Sequence, residues 1–128
     1  MSTEKTPVEI TRKACILVAE DEPGIRQLLD DTLSGAGFEV LTAPDGLAAL
    51  RKARSHEGPI DLLITDVEMP KLDGFDLQER IRQERPAIKL LVISGALSSN
   101  IEGADFPLIR KPFMPGEVTS RVRQILGR

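Results

Sequence analysis

Short apolar runs and spaced apolar positions take turns along this chain. Ala14–Ala19 is a continuous apolar run, and Phe38–Thr42, Ile60–Thr65 and Lys89–Ile93 are compact runs of similar length. Such runs, bounded by turn residues, predict strands covered on both faces. Phe106–Arg110 predicts a shorter fifth strand at the sheet edge, where Pro107 is tolerated. Between the runs the apolar positions fall at helical spacing. Ile25, Leu28, Leu29, Leu33 and Ala36 follow Pro23, a residue suited to a first helical turn. Leu47, Ala48, Leu50 and Ala53 follow a Pro44-Asp45-Gly46 turn. Phe75, Leu77 and Ile81 follow Asp73-Gly74, and Val118, Val122, Ile125 and Leu126 follow Gly116. Strands alternating with helices predict an α/β fold, an open doubly wound parallel sheet. In such sheets functional residues gather at the carboxyl ends of the strands.

Composition narrows the chemistry. The 128 residues carry a formal charge of −3, which offers no basic excess for nucleic acid. Trp and Tyr are absent, so a base-stacking platform is not expected. Cys15 is the one cysteine and reads as a small buried hydrophobe. Residues 1–12 read as a disordered polar leader, and 13–128 as one domain. No apolar run reaches the ~18 residues of a membrane helix, and the cytoplasm is the expected compartment. His56 lies among Arg54, Ser55 and Glu57 and is expected to face solvent.

The ends of the predicted strands collect polar groups. Glu20 and Asp21 follow the first strand, Asp66 the third, Ser94 the fourth and Lys111 the fifth. Alone, each has an ordinary explanation: a helix-end acid, a turn residue, a loop hydroxyl, a surface lysine. Together they place three carboxylates on one rim. Each pair at ~4 Å costs roughly 1 to 4 kcal/mol, depending on the local dielectric. A hard cation among them relieves that repulsion. Oxygen-only donors suit Mg²⁺, and the cluster holds no His or Cys to suit zinc. An aspartate beside a hard cation, a lysine and a hydroxyl is equipped for phosphoryl transfer, with Asp66 as nucleophile.

The motifs V-A-E-D-E-P (Val18–Pro23), T-D-V-E-M-P-K-L-D-G (Thr65–Gly74), I-S-G-A (Ile93–Ala96) and R-K-P-F (Arg110–Phe113) go further. With them the chain resembles the receiver domain of two-component response regulators, from about Ala14 to Leu126. The resemblance implies a flavodoxin-like five-stranded sheet of order 2-1-3-4-5. It implies phosphorylation of Asp66, Mg²⁺ held by Glu20, Asp21, Asp66 and the backbone carbonyl of Glu68, and phosphoryl contacts from Ser94 and Lys111. It also implies a Lys111–Pro112 bond that is commonly cis. The expected donor is a histidine kinase or histidine phosphotransfer protein, and the expected output is protein binding or onward phosphotransfer. Because the chain stops at Arg128, a stand-alone receiver is expected, monomeric or weakly dimeric, without nucleic acid or membrane. It is not expected to be a turnover enzyme.

Two features depart from the family pattern. Leu108 stands where receivers usually carry an aromatic residue on the fifth strand, and Phe106 lies two residues before it. Residues 95–105 are short for a fourth crossover, so a short or irregular fourth helix is expected there. The Glu68 side chain would add a carboxylate beside the site. The rival readings are an FMN electron carrier of the same sheet order, a degenerate receiver that takes no phosphate, and an aspartate-nucleophile phosphatase. Glu20-Asp21-Glu22 would repel a flavin phosphate after the first strand, and the phosphatase D-x-D is absent.

Overall fold

The computed structural model describes residues 12–69, 71–95 and 106–128. Five strands form one parallel sheet: β1 (Cys15–Ala19), β2 (Glu39–Ala43), β3 (Leu62–Asp66), β4 (Lys89–Ser94) and β5 (Leu108–Arg110). Their order is β2-β1-β3-β4-β5, with every pairing parallel. Four helices are found among the described residues: α1 (Pro23–Gly35), α2 (Gly46–Ser55), α3 (Gly74–Glu84) and α4 (Pro115–Leu126). The expected leader lies outside the described residues up to residue 11, and so does the fourth crossover beyond Gly95.

Alternation along each central strand divides the core. Ile16, Val18, Leu62, Ile64, Leu91 and Ile93 face one way and meet Leu29 and Leu33 of α1 and Val118 and Val122 of α4. Cys15, Leu17, Ala19 and Leu63 face the other way and meet Ala49, Leu50 and Ala53 of α2 and Leu77 and Ile81 of α3. Strand side chains point alternately to the two faces. A run with no polar interruption therefore has both faces covered, and all five residues of β1 and of β3 are buried. Burying one such Leu or Ile contributes roughly 1.5 to 3 kcal/mol.

Local chemistry sets where the helices start. Pro23 and Pro115 stand in the first turns of α1 and α4, where a missing N–H costs nothing. Asp45 and Asp73 cap α2 and α3, their carboxylates accepting the N–H groups of Ala48 and Asp76 at 2.8 and 2.9 Å. Gly74 is required by space. A Cβ there would collide with the Asp66 carbonyl and press on Thr65, so only glycine lets α3 start against the end of β3. Gly46 is confined in the same way by the backbone of Leu72.

Two expectations shift. The fifth strand is only Leu108–Arg110. Pro107 contributes its carbonyl to the Val92 N–H, at 3.0 Å, but has no N–H to continue the ladder. His56 does not simply face solvent: it is half-buried, with Nε2 at 3.8 Å from the buried Cys15 Sγ. Arg85 reaches back to the carbonyls of Ala53, His56 and Gly58. That fixes the loop which brings the imidazole over the start of β1.

Candidate phosphoacceptor site

The site is built from strand ends. Ala19, Asp66 and Ser94 close β1, β3 and β4, so the chain delivers Glu20, Asp66 and Ser94 to one edge of the sheet. Lys111 follows β5, and its N–H donates to the Ser94 carbonyl at 2.9 Å. The Lys111–Pro112 bond is cis, as the resemblance implies.

Lys111 Nζ bridges Glu20 Oε1 at 2.8 Å and Asp66 Oδ2 at 2.7 Å. The other oxygens of the two acids are held by backbone. Glu20 Oε2 accepts the Glu22 N–H at 3.0 Å, and Asp66 Oδ1 accepts the Glu68 N–H at 3.0 Å. Glu20, Asp66 and Ser94 are buried while Asp21 is exposed. Carboxylate oxygens of Glu20, Asp21 and Asp66 lie within 4.8 Å of one another. Among the described residues, one ammonium is thus shared by two of three crowded acids.

The electrostatics follow from that imbalance. Burial pushes the Glu20 carboxyl above the ordinary glutamate range. The bonds from Lys111 and the Glu22 N–H oppose this rise, and the charge of Asp66 adds to it. For Lys111, burial works against the ammonium, but the hydrogen-bonded Asp66 and Glu20 outweigh it and hold its pKa above the ordinary lysine value. Lysine stays charged, and the Glu20 carboxyl is inclined to hold a proton. The donor set fits such a cation: hard oxygen ligands, with the exposed Asp21 leaving one side open for the waters Mg²⁺ retains.

Every rim residue read from the sequence lies at this edge, but not every one by its side chain. Glu68 is exposed, and its link to the site is its N–H. Three further contributors emerge from the fold. Arg26 of α1 donates to the Glu20 carbonyl at 2.9 Å. Thr65 Oγ1 donates to the Asp66 carbonyl at 2.9 Å, and Gly74 packs against that same carbonyl. Arg26, four residues after Glu22 and so on the same side of the helix start, carries a local signal. The other two act through close approach, which leaves no periodic trace.

The family model described as response regulator receiver domain matches residues 16–123. A probable transcriptional regulator ycf27 of Galdieria sulphuraria is 40% identical over 123 residues, covering 93% of this chain and 48% of that protein. The alkaline phosphatase synthesis transcriptional regulatory protein PhoP of Bacillus subtilis is 38% identical over 120 residues, covering 88% and 48%. The chain thus spans about half the length of these curated relatives. Among solved structures, the chemotaxis protein CheY4 of Vibrio cholerae matches with a TM-score of 0.81 and 30% identity, covering 90% of this chain and 100% of that one. The receiver domain of the hybrid histidine kinase CckA matches with a TM-score of 0.77 and 35% identity, covering 88% and 99%.

Proposed function

The chain belongs to the response regulator receiver family, and from that premise we propose that it accepts a phosphoryl group on Asp66 and signals through the change in charge. The observation that carries this reading is the single ammonium of Lys111 shared between Asp66 and Glu20, with the Asp21 carboxylate beside them. Family membership sets the flavin-carrier alternative aside.

Glu20, Asp21 and Asp66 would hold Mg²⁺, with the Glu68 backbone carbonyl as a further oxygen, as the family resemblance implies. When bound, Mg²⁺ supplies positive charge against the phosphoryl oxygens. The protein does the rest. Asp66 attacks phosphorus with a carboxylate oxygen, an O–P bond forms, and the P–N bond of a donor phosphohistidine breaks as its imidazole leaves. The Glu68 N–H and Lys111 orient the Asp66 carboxylate beforehand. Lys111 then turns from the carboxylate to a phosphoryl oxygen, and the Ser94 hydroxyl donates to another. Burial of Asp66 and Ser94 keeps bulk water from competing.

The phosphodonor in this reading is a histidine kinase or histidine phosphotransfer protein, and the output is a protein-binding surface. Residues 13–128 form the receiver unit. Among the described residues no helix is long and apolar enough to cross a membrane, and the cytoplasm is the compartment we infer. Acetyl phosphate with Mg²⁺ tests the chemistry. The expected result is a gain of one phosphoryl group by intact mass, removed by hydroxylamine and absent in Asp66→Asn. No adduct, or an adduct that persists in Asp66→Asn, overturns the reading.

A further inference from the structure

A second group of ligating side chains sits at the opposite end of the sheet. Cys15 is the first residue of β1 and Glu39 the first of β2, and they are register partners. His56, just past α2, closes over them from the side. Cys15 Sγ, a His56 ring nitrogen and a Glu39 carboxylate oxygen lie within 4.8 Å of one another. We propose that Cys15, His56 and Glu39 form a binding site for a divalent metal of the zinc class, separate from the acidic rim.

Three observations support it. The first is donor chemistry: thiolate, imidazole and carboxylate is a set that Zn²⁺ takes and Mg²⁺ does not. The second is spacing. A tetrahedral ion with metal–sulfur ~2.3 Å and metal–nitrogen ~2.0 Å holds its S and N donors about 3.6 Å apart. Here Sγ and Nε2 are 3.8 Å apart. The third is access and support. Cys15 is buried, His56 half-buried and Glu39 exposed, so an ion can enter past Glu39 and keep a water as fourth ligand. The His56 backbone carbonyl is held by Arg85 at 2.9 Å, which fixes the loop that carries the imidazole.

Binding exchanges the Cys15 proton for the metal: the S–H bond breaks, an S–metal bond forms, and one proton leaves to solvent. A thiolate and a carboxylate balance the two charges of the ion, so the filled site is neutral. Without metal, burial pushes the Cys15 thiol up to about 12, and Glu39 and Asp61 add to that, against Arg85 and Arg12. Metal uptake therefore competes with a proton, and affinity rises with pH.

Titration of the whole protein with Co²⁺ alone, read by thiolate-to-metal charge-transfer absorption, tests the proposal. Zn²⁺ is expected to displace Co²⁺ and Mg²⁺ is not. The band should survive in Asp66→Asn, vanish in Cys15→Ser, and appear only at tenfold or more higher Co²⁺ in His56→Gln and Glu39→Gln. The last two are partly exposed positions, so they carry the test if Cys15→Ser fails to fold. No band in the unaltered protein, unchanged affinity in both His56→Gln and Glu39→Gln, or loss of the band in Asp66→Asn overturns it.

Discussion

Two aspartates stand at the two ends of one strand, and they are used in opposite ways. Asp61 precedes β3 and Asp66 ends it. Asp61 has its charge matched. Its carboxylate takes both arms of the Arg12 guanidinium at 3.0 and 2.8 Å and also accepts the Cys15 N–H at 2.8 Å. Burial works against the Asp61 carboxylate, yet these bonds outweigh it and hold its pKa below the ordinary value of 3.8. Asp66 shares one lysine with Glu20 and lies beside Asp21. One end of the strand is a closed clasp that ties the chain before β1 to β3. The other is left short of positive charge, which a hard cation would supply. The two ends differ in their local ratio of charges: Asp61 holds a guanidinium to itself, whereas Asp66 and Glu20 share one ammonium.

The sharpest way to break the comparison is at Gly74. Gly74→Ala drives a Cβ into the Asp66 carbonyl and should cost about 3 kcal/mol in urea unfolding. If the rim were only a loosely packed surface, α3 would shift and the cost would be a few tenths. Next comes Lys111→Met. It leaves Glu20 and Asp66 without their shared ammonium, at about 2 to 3 kcal/mol near pH 7. Mg²⁺ should recover part of that loss, as it cannot for the clasp. A loss untouched by Mg²⁺ would mean that Lys111 is held for packing and not for charge.

Asp61→Asn probes the clasp, with an expected cost of about 1 to 2 kcal/mol. A carboxyl with a depressed folded pKa contributes stability that is present above its unfolded value and lost as pH falls through the folded one. The gap between wild type and Asp61→Asn should therefore hold steady from pH 7 to about 5. It should close below the ordinary 3.8, as the wild-type carboxylate takes a proton. A gap still open at pH 2 would show that shape, not charge, makes the clasp. Phosphorylation by acetyl phosphate should continue in this variant.

These two ends are unequally legible in the sequence. Unbroken apolar runs give away β1, β3 and β4, and a polar residue at the end of such a run is conspicuous. That is why Glu20, Asp21, Asp66, Ser94 and Lys111 can be gathered from the order of residues alone. Asp61 offers no such signal, because its partner Arg12 is 49 residues away and belongs to no repeating pattern. His56 misleads for a related reason. Its neighbours in sequence are polar, but its neighbour in space is Cys15, brought there by a bend after α2. Gly46 reads as a turn residue and Gly74 as a helix start, whereas both are needed because backbone passes too close for any side chain. Contacts made through absence of atoms leave no compositional mark.

The smallest effect concerns how the rim is felt elsewhere. Leu108 occupies the strand position where the family carries an aromatic residue. Phe106, just before β5, instead meets Phe75 edge-on, with ring centroids 5.3 Å apart and planes at 65°. Phe75 follows Gly74, whose backbone abuts the Asp66 carbonyl. A short line of contacts thus runs from Asp66 to this ring pair. Phe106→Ala should cost about 1 kcal/mol, the usual worth of such a pair beyond its buried area. Because the pair is tied to Asp66 through Gly74, the cost should differ between the unloaded protein and one loaded with beryllofluoride and Mg²⁺. Urea unfolding of both forms measures it. Equal costs would reduce the rings to packing and leave the rim with no aromatic reporter on this side.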